Sequence, residues 1–79
     1  MARGRRRCEI LQRAQALEQW AACRERAVVG LEREAKGLSA CNLPDQAARL
    51  QAAALVLRHA ACRERAEAAA LREAASALA

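Results

Sequence analysis

The nine residues GLSACNLPD, Gly37 to Asp45, decide how this 79-residue chain folds. Gly37, Ser39, Asn42 and Pro44 fall within eight positions, a density of turn-forming residues found nowhere else in the sequence. Gly37 is the kind of residue that ends a helix in the left-handed conformation. Pro44 suits the first turn of a following helix, where its missing N–H costs nothing, and Asp45 suits the positive end of that helix. The stretch therefore reads as a short loop between two helical segments.

Apolar spacing supports a helix on each side. Before the break, Ile10, Ala14, Leu17, Ala21, Arg24, Val28, Leu31, Ala35 and Leu38 recur in steps of four and three. This is a heptad seam with one basic interruption, Arg24. After the break, fifteen alanines stand among the 34 residues from Gln46 to Ala79, with Leu50, Leu55, Val56, Leu57, Leu71 and Leu78 between them. Helix propensity there is high, and small side chains permit close neighbours on more than one side. Gly30 is the mid-helix exception, costing about 1 kcal/mol against Ala. The expected fold class is all-α: two long helices in an antiparallel hairpin, helix about 8–37, loop 38–43, helix about 44–78, preceded by a basic arm over 1–7.

The two helices are related. AACRERA occurs at Ala21–Ala27 and again at Ala60–Ala66, and with this offset of 39 residues, 13 of the 25 positions from Leu11 to Ala35 match their counterparts. An internal duplication is the reading we adopt. Reflecting the chain about the break sets Cys23 level with Cys62, because their numbers sum to 85 and the midpoint lies between Asn42 and Leu43. Two readings follow for this pair: a disulfide closing a loop of about 40 residues, or free thiols serving as small apolar side chains at a helix contact. Cys8 and Cys41 have no level partner. His59 and Cys62 share a helical face, and Cys23 could join them across the hairpin. Three ligands at most, without a CxxC pair, are too few for a metal site, and His59 is expected partly buried near Trp20.

Charge is unevenly distributed. Arg3, Arg5, Arg6 and Arg7 carry +4 of the formal +5, leaving 10 basic and 9 acidic residues in the other 72. Such an arm suits an acidic surface. In the repeats, Arg24 and Arg63 fall beside the cysteines in the expected apolar stripes, where they could reach a partner's carboxylate. Trp20 is the sole aromatic residue and a further contact candidate. Glu25, Glu32, Glu34, Glu64, Glu67 and Glu73 read as salt partners on helix surfaces. The large apolar residues are few: ten Leu, three Val, Ile10, Met1 and Trp20. So slight a supply predicts a chain that completes its core on a protein partner.

Several function classes lose ground here. One His, no glycine-rich phosphate loop and no Ser or Cys with an adjacent base argue against an enzyme, a cofactor or a small-molecule substrate. No stretch approaches the ~20 apolar residues of a membrane span. The arginine-rich, acid-poor start has the character of a mitochondrial presequence, read as uncleaved because Met1 is in place.

The segments LRHAACRERAEAAALREAASALA and RERAVVGLEREAKGLSA resemble a pattern in small helical microtubule inner proteins of ciliary doublets. There an Arg-led helix with spaced apolar residues and a Glu-Leu pair ends in a small-residue Gly-Leu tail. The matching positions are Arg58, Cys62, Glu67, Leu71 and Leu78, and in the first copy Leu31, Glu34, Gly37 and Leu38. Ala or Cys stands where that pattern prefers Leu, and Tyr is absent. The resemblance implies a non-enzymatic structural protein of the cilium or flagellum axoneme, packed on tubulin or neighbouring inner proteins in a reducing lumen. The alternative is a small accessory subunit of a mitochondrial complex or mitochondrial ribosome, with a Cys23–Cys62 disulfide or RNA contact by the arm.

Overall fold

The structure, a computed structural model, describes residues 2–79. Helix α1 runs over Ala2–Ala40 and helix α2 over Pro44–Ala77. They pack antiparallel along their whole length into a rod with Cα extents of 62 × 13 × 12 Å. The hairpin expected from the break is therefore the fold.

The seam of α1 follows the expected spacing. Ala14, Leu17, Ala21, Val28 and Ala35 are buried, with Ile10, Arg24, Leu31 and Leu38 partly covered between them. On α2 the buried residues are Ala47, Ala54, Ala61, Ala68 and Ala75, one alanine every seven residues. Leu50, Leu57, Leu71 and Leu78 lie half-buried three residues after four of them. A methyl group at each seventh position lets the facing helix approach closely, so neighbouring leucines cover the seam from the side. Ala14, Leu17 and Ala68 form a contiguous cluster with Leu71 packed against it. No large side chain is fully enclosed among the described residues.

The loop differs from the expected one in which residue turns the chain. Gly37 remains inside α1 without a positive φ, and Asn42 takes the left-handed conformation at φ 61°. The amide of Asn42 donates to the carbonyl of Ser39 at 3.1 Å and that of Leu43 to Leu38 at 2.9 Å, which satisfies two terminal carbonyls of α1. Asparagine tolerates this conformation, and the glycine comes too early to be needed. Leu43 precedes proline and is held out of the helical region at φ −119°, ψ 63°, and Pro44 opens α2.

The basic segment is also corrected. Ala2–Arg7 is the start of α1 rather than a separate arm. Alanine and arginine are strong helix formers, and the helix continues through Gly4, the one weak helix former of the segment. Arg7 is tied to the rod, its Nε donating to the carbonyl oxygen of Ala75 at 3.3 Å.

Candidate interaction surfaces

The repeat does not place equivalent residues in equivalent surroundings. Its offset of 39 residues is five heptads plus four, so the second AACRERA meets the seam in a different register. In the first copy Arg24 lies in the seam; in the second the seam residue is Glu64, and Arg63 is exposed. Arg24 thus lies in an apolar stripe as expected, whereas Arg63, expected in the equivalent stripe, lies outside it. Arg24 is engaged within the chain, its Nε donating to Glu64 Oε1 at 2.8 Å. One residue further on, Glu25 accepts two hydrogen bonds from Arg65, at 2.7 and 2.5 Å. The two copies thus bind each other through reciprocal ion pairs.

Glu25–Arg65 is the middle rung of a ladder along one flank. Glu18–Arg72 lies one heptad toward the open end of the hairpin, with contacts of 2.7 and 2.6 Å. Glu32–Arg58 lies one heptad toward the loop. The side chains stay solvated, so each rung contributes little stability, but together they select the antiparallel register. Two-point bonding to Arg72 holds the Glu18 carboxyl below the ordinary glutamate range, against a smaller opposing effect of desolvation. Arg65 lowers Glu25 in the same way. The guanidinium groups of Arg65 and Arg72 are raised in return.

The opposite flank is built differently. It carries one ion pair, Arg13–Glu67 at 3.2 Å near the open end. Trp20 is 59% exposed there, in a shallow groove with Cys23 and Arg24. Small residues at the same seam-edge positions, Ala27, Ala53 and Ala60, continue this flank toward the loop.

The cysteines divide between the flanks. Cys23 shares the groove of Trp20, whereas Cys62 lines a groove on the ladder side with Glu25, Val29, Glu32 and Arg58. All four cysteines are free and exposed. The candidate Cys23–Cys62 disulfide is therefore not formed. Level height was right, but the shifted register turns the two side chains to opposite sides of the seam. The same separation keeps Cys23 from joining His59 and Cys62 around a metal, and no group of three or more His, Cys, Asp or Glu among the described residues could hold one. His59 is exposed rather than partly buried.

The remaining partner-contact candidates are on the surface. Arg3, Arg5 and Arg6 are exposed at the open end, with no acidic residue in the first turn of α1 to offset them. Sequence reasoning missed three exposed apolar residues: Val29, Leu55 and Val56, the last 67% exposed. Leu55 and Val56 sit on the outer face of α2 among Ala48, Ala52 and Ala66, whereas the outer face of α1 carries Gln12, Gln15, Gln19, Arg26 and Arg33. Tracing the alanines at seven-residue spacing would have placed Leu55 and Val56 outside.

No helix is long and apolar enough to cross a membrane among the described residues. No family model matches the chain, and neither a similar curated protein nor a similar solved structure was found.

Proposed function

We propose that this protein is a non-enzymatic structural element of a large protein assembly, specifically a microtubule inner protein that packs on tubulin in the lumen of ciliary or flagellar doublets. One observation carries the structural part of this reading. The seam is a thin line of alanines, while Trp20, Val29, Leu55 and Val56 stay on the outside of a 62 Å rod. Such a chain gains stability by laying its apolar outer face of α2 along another protein. The grooves along the rod are shallow and open, which suits a docking surface better than a substrate pocket. The ciliary assignment rests on the resemblance of the Arg-led second helix, and four free thiols suit a reducing compartment.

The exposed Arg3, Arg5 and Arg6 favour a second reading, contact with ribosomal RNA in a mitochondrial assembly. Quantitative mass spectrometry of purified axonemes and purified mitochondria, with alkylation to count thiols, separates the two. Enrichment in salt-washed axonemes with four alkylated cysteines is the expected result. Enrichment in mitochondria would overturn the ciliary assignment.

A further inference from the structure

We infer that the outer face of α2 carries half of a zinc site, His59 and Cys62, which a second copy of this chain completes by packing antiparallel on that face. Both residues are exposed on the side of α2 turned away from α1. Three residues apart on a helix, they stand about 4.5 Å apart along its axis and project to the same side. Structural zinc takes four imidazole or thiolate ligands in a tetrahedron, so one helix fills half of the set. The chain alone does not supply the rest: no group of three or more metal-ligating residues forms among the described residues, and Cys23 lies on the Trp20 flank.

The residues around the pair fit a second copy. Ala52, Leu55, His59, Cys62, Ala66 and Ala69 follow one another in steps of three and four, all exposed. This is a second heptad seam on α2, opposite the alanine seam that packs on α1. Laid antiparallel on its own copy about a two-fold axis between Ala60 and Ala61, it brings together positions whose numbers sum to about 121. His59 of each copy then meets Cys62 of the other, so two imidazoles and two thiols converge on the axis. Leu55 meets Ala66 and Ala52 meets Ala69, so every flanking layer includes an alanine and the helices can approach closely. Arg49, beside the seam, comes level with Glu73 of the second copy, and the pair occurs twice by symmetry. Neither Arg49 nor Glu73 makes an ion pair within the chain among the described residues. One axis therefore aligns the ligands, the apolar layers and these charges.

Zinc is what holds this pairing together. The layers bury little beyond alanine, and Arg63 faces its own equivalent at one edge of the axis, which opposes association of the bare chains. At the other edge Arg58 is already answered by Glu32 of its own chain. When the metal binds, each Cys62 thiol releases its proton to solvent and its sulfur takes the zinc. Each neutral His59 gives the lone pair of one ring nitrogen. Two protons leave per zinc, and the doubly charged ion with two thiolates forms a neutral centre. The metal binds the paired state and not the single chain, so it shifts association by mass action. This inference rests on the reading that protein covers the outer face of α2. It names that protein and leaves the Trp20 flank to the larger assembly.

The test uses the full chain with a non-thiol reductant. Sedimentation equilibrium with zinc chloride is expected to give twice the 8.6 kDa chain mass, and chelation with EDTA to return the monomer. Cobalt(II) in place of zinc should give the visible absorption of a tetrahedral thiolate site, saturating at one ion per two chains. His59→Ala and Cys62→Ser should each abolish both signals with helicity retained by circular dichroism. Serine at Cys8, Cys23 and Cys41 together should change neither. Arg49→Glu should weaken the zinc dimer about tenfold, and Glu73→Arg added to it should restore association. A chain that stays monomeric with zinc would overturn the inference, as would a dimer indifferent to EDTA or cobalt binding retained in Cys62→Ser. A zinc-indifferent monomer still recovered in axonemes would overturn this inference and leave the proposed function standing.

Discussion

Arg24 and Glu64 face each other across the seam at 2.8 Å, although they are neighbouring rather than equivalent positions of one repeated sequence. The duplication supplied both charges, and the one-position shift in register made them complementary. Arg24 keeps 41% of its side chain exposed and Glu64 13%, so the arginine head remains hydrated while the carboxylate is largely covered.

This asymmetry sets the outcome of substitution. Glu64→Ala should destabilise the hairpin by about 1–2 kcal/mol, because it removes a charge-assisted bond and leaves Arg24 in the seam without its acceptor. Replacing both residues, Arg24→Leu with Glu64→Leu, should raise stability above the native chain, since leucine continues the run of Leu57 and Leu71. Thermal unfolding of the single and double variants checks the pair; a double variant less stable than Glu64→Ala would refute the assignment.

The turn makes an equally direct prediction. Asn42→Ala should cost about 1 kcal/mol, because alanine is strained at φ 61°, whereas Asn42→Gly should be nearly neutral. Gly37→Ala should instead stabilise by about 0.5–1 kcal/mol: Gly37 is helical, and an added Cβ meets nothing within 4 Å. Had Gly37 been the left-handed residue, the effects at the two positions would be exchanged. Denaturant unfolding of the three variants decides this.

Close approach at the alanines should show in overpacking. Ala61 is 1% exposed at the middle of α2. Ala61→Leu should cost about 1–3 kcal/mol, because the added atoms force the helices apart where every seventh residue holds them close. Ala66→Leu, an exposed position one turn away, should change stability little. Circular dichroism melts of both variants provide the comparison.

Acid should loosen the ladder. Glu18 and Glu25 are depressed in the folded chain by their bonds to Arg72 and Arg65, so the folded state binds fewer protons than the unfolded one as the pH falls. The stability they contribute is present above the unfolded glutamate value of about 4.3 and is lost as the pH drops through the lower folded values. The melting temperature should be flat from pH 7 to about 5 and decline below that. The decline should be shallower in Glu18→Gln with Glu25→Gln, and in high salt, which screens exposed pairs.

Much of the fold was legible because it rests on local chemistry. The step of four and three from Ile10 to Leu38 predicted the buried side of α1 residue by residue, including the anomaly of Arg24. The break from Gly37 to Asp45 predicted the reversal, although a nearby asparagine took the conformation assigned to the glycine. In α2 the alanines run nearly all round the helix, so composition alone did not distinguish those facing α1 from those facing outward. Leu55 and Val56 could not be assigned to a face for that reason. The reflection that set Cys23 and Cys62 level was correct in height and silent about rotation.

By itself, then, the sequence determined two helices, their boundary, the antiparallel return and the seam of α1, because propensity, turn chemistry and heptad spacing act over a few residues at a time. The tertiary structure alone decided the facing register of α2. That register is a rotation of one helix against the other, chosen by how alanine methyls nest and how Glu18, Glu25 and Glu32 meet Arg72, Arg65 and Arg58. From it follow the pairing of Arg24 with Glu64, the separation of the two cysteines and the flank on which Trp20 is left exposed.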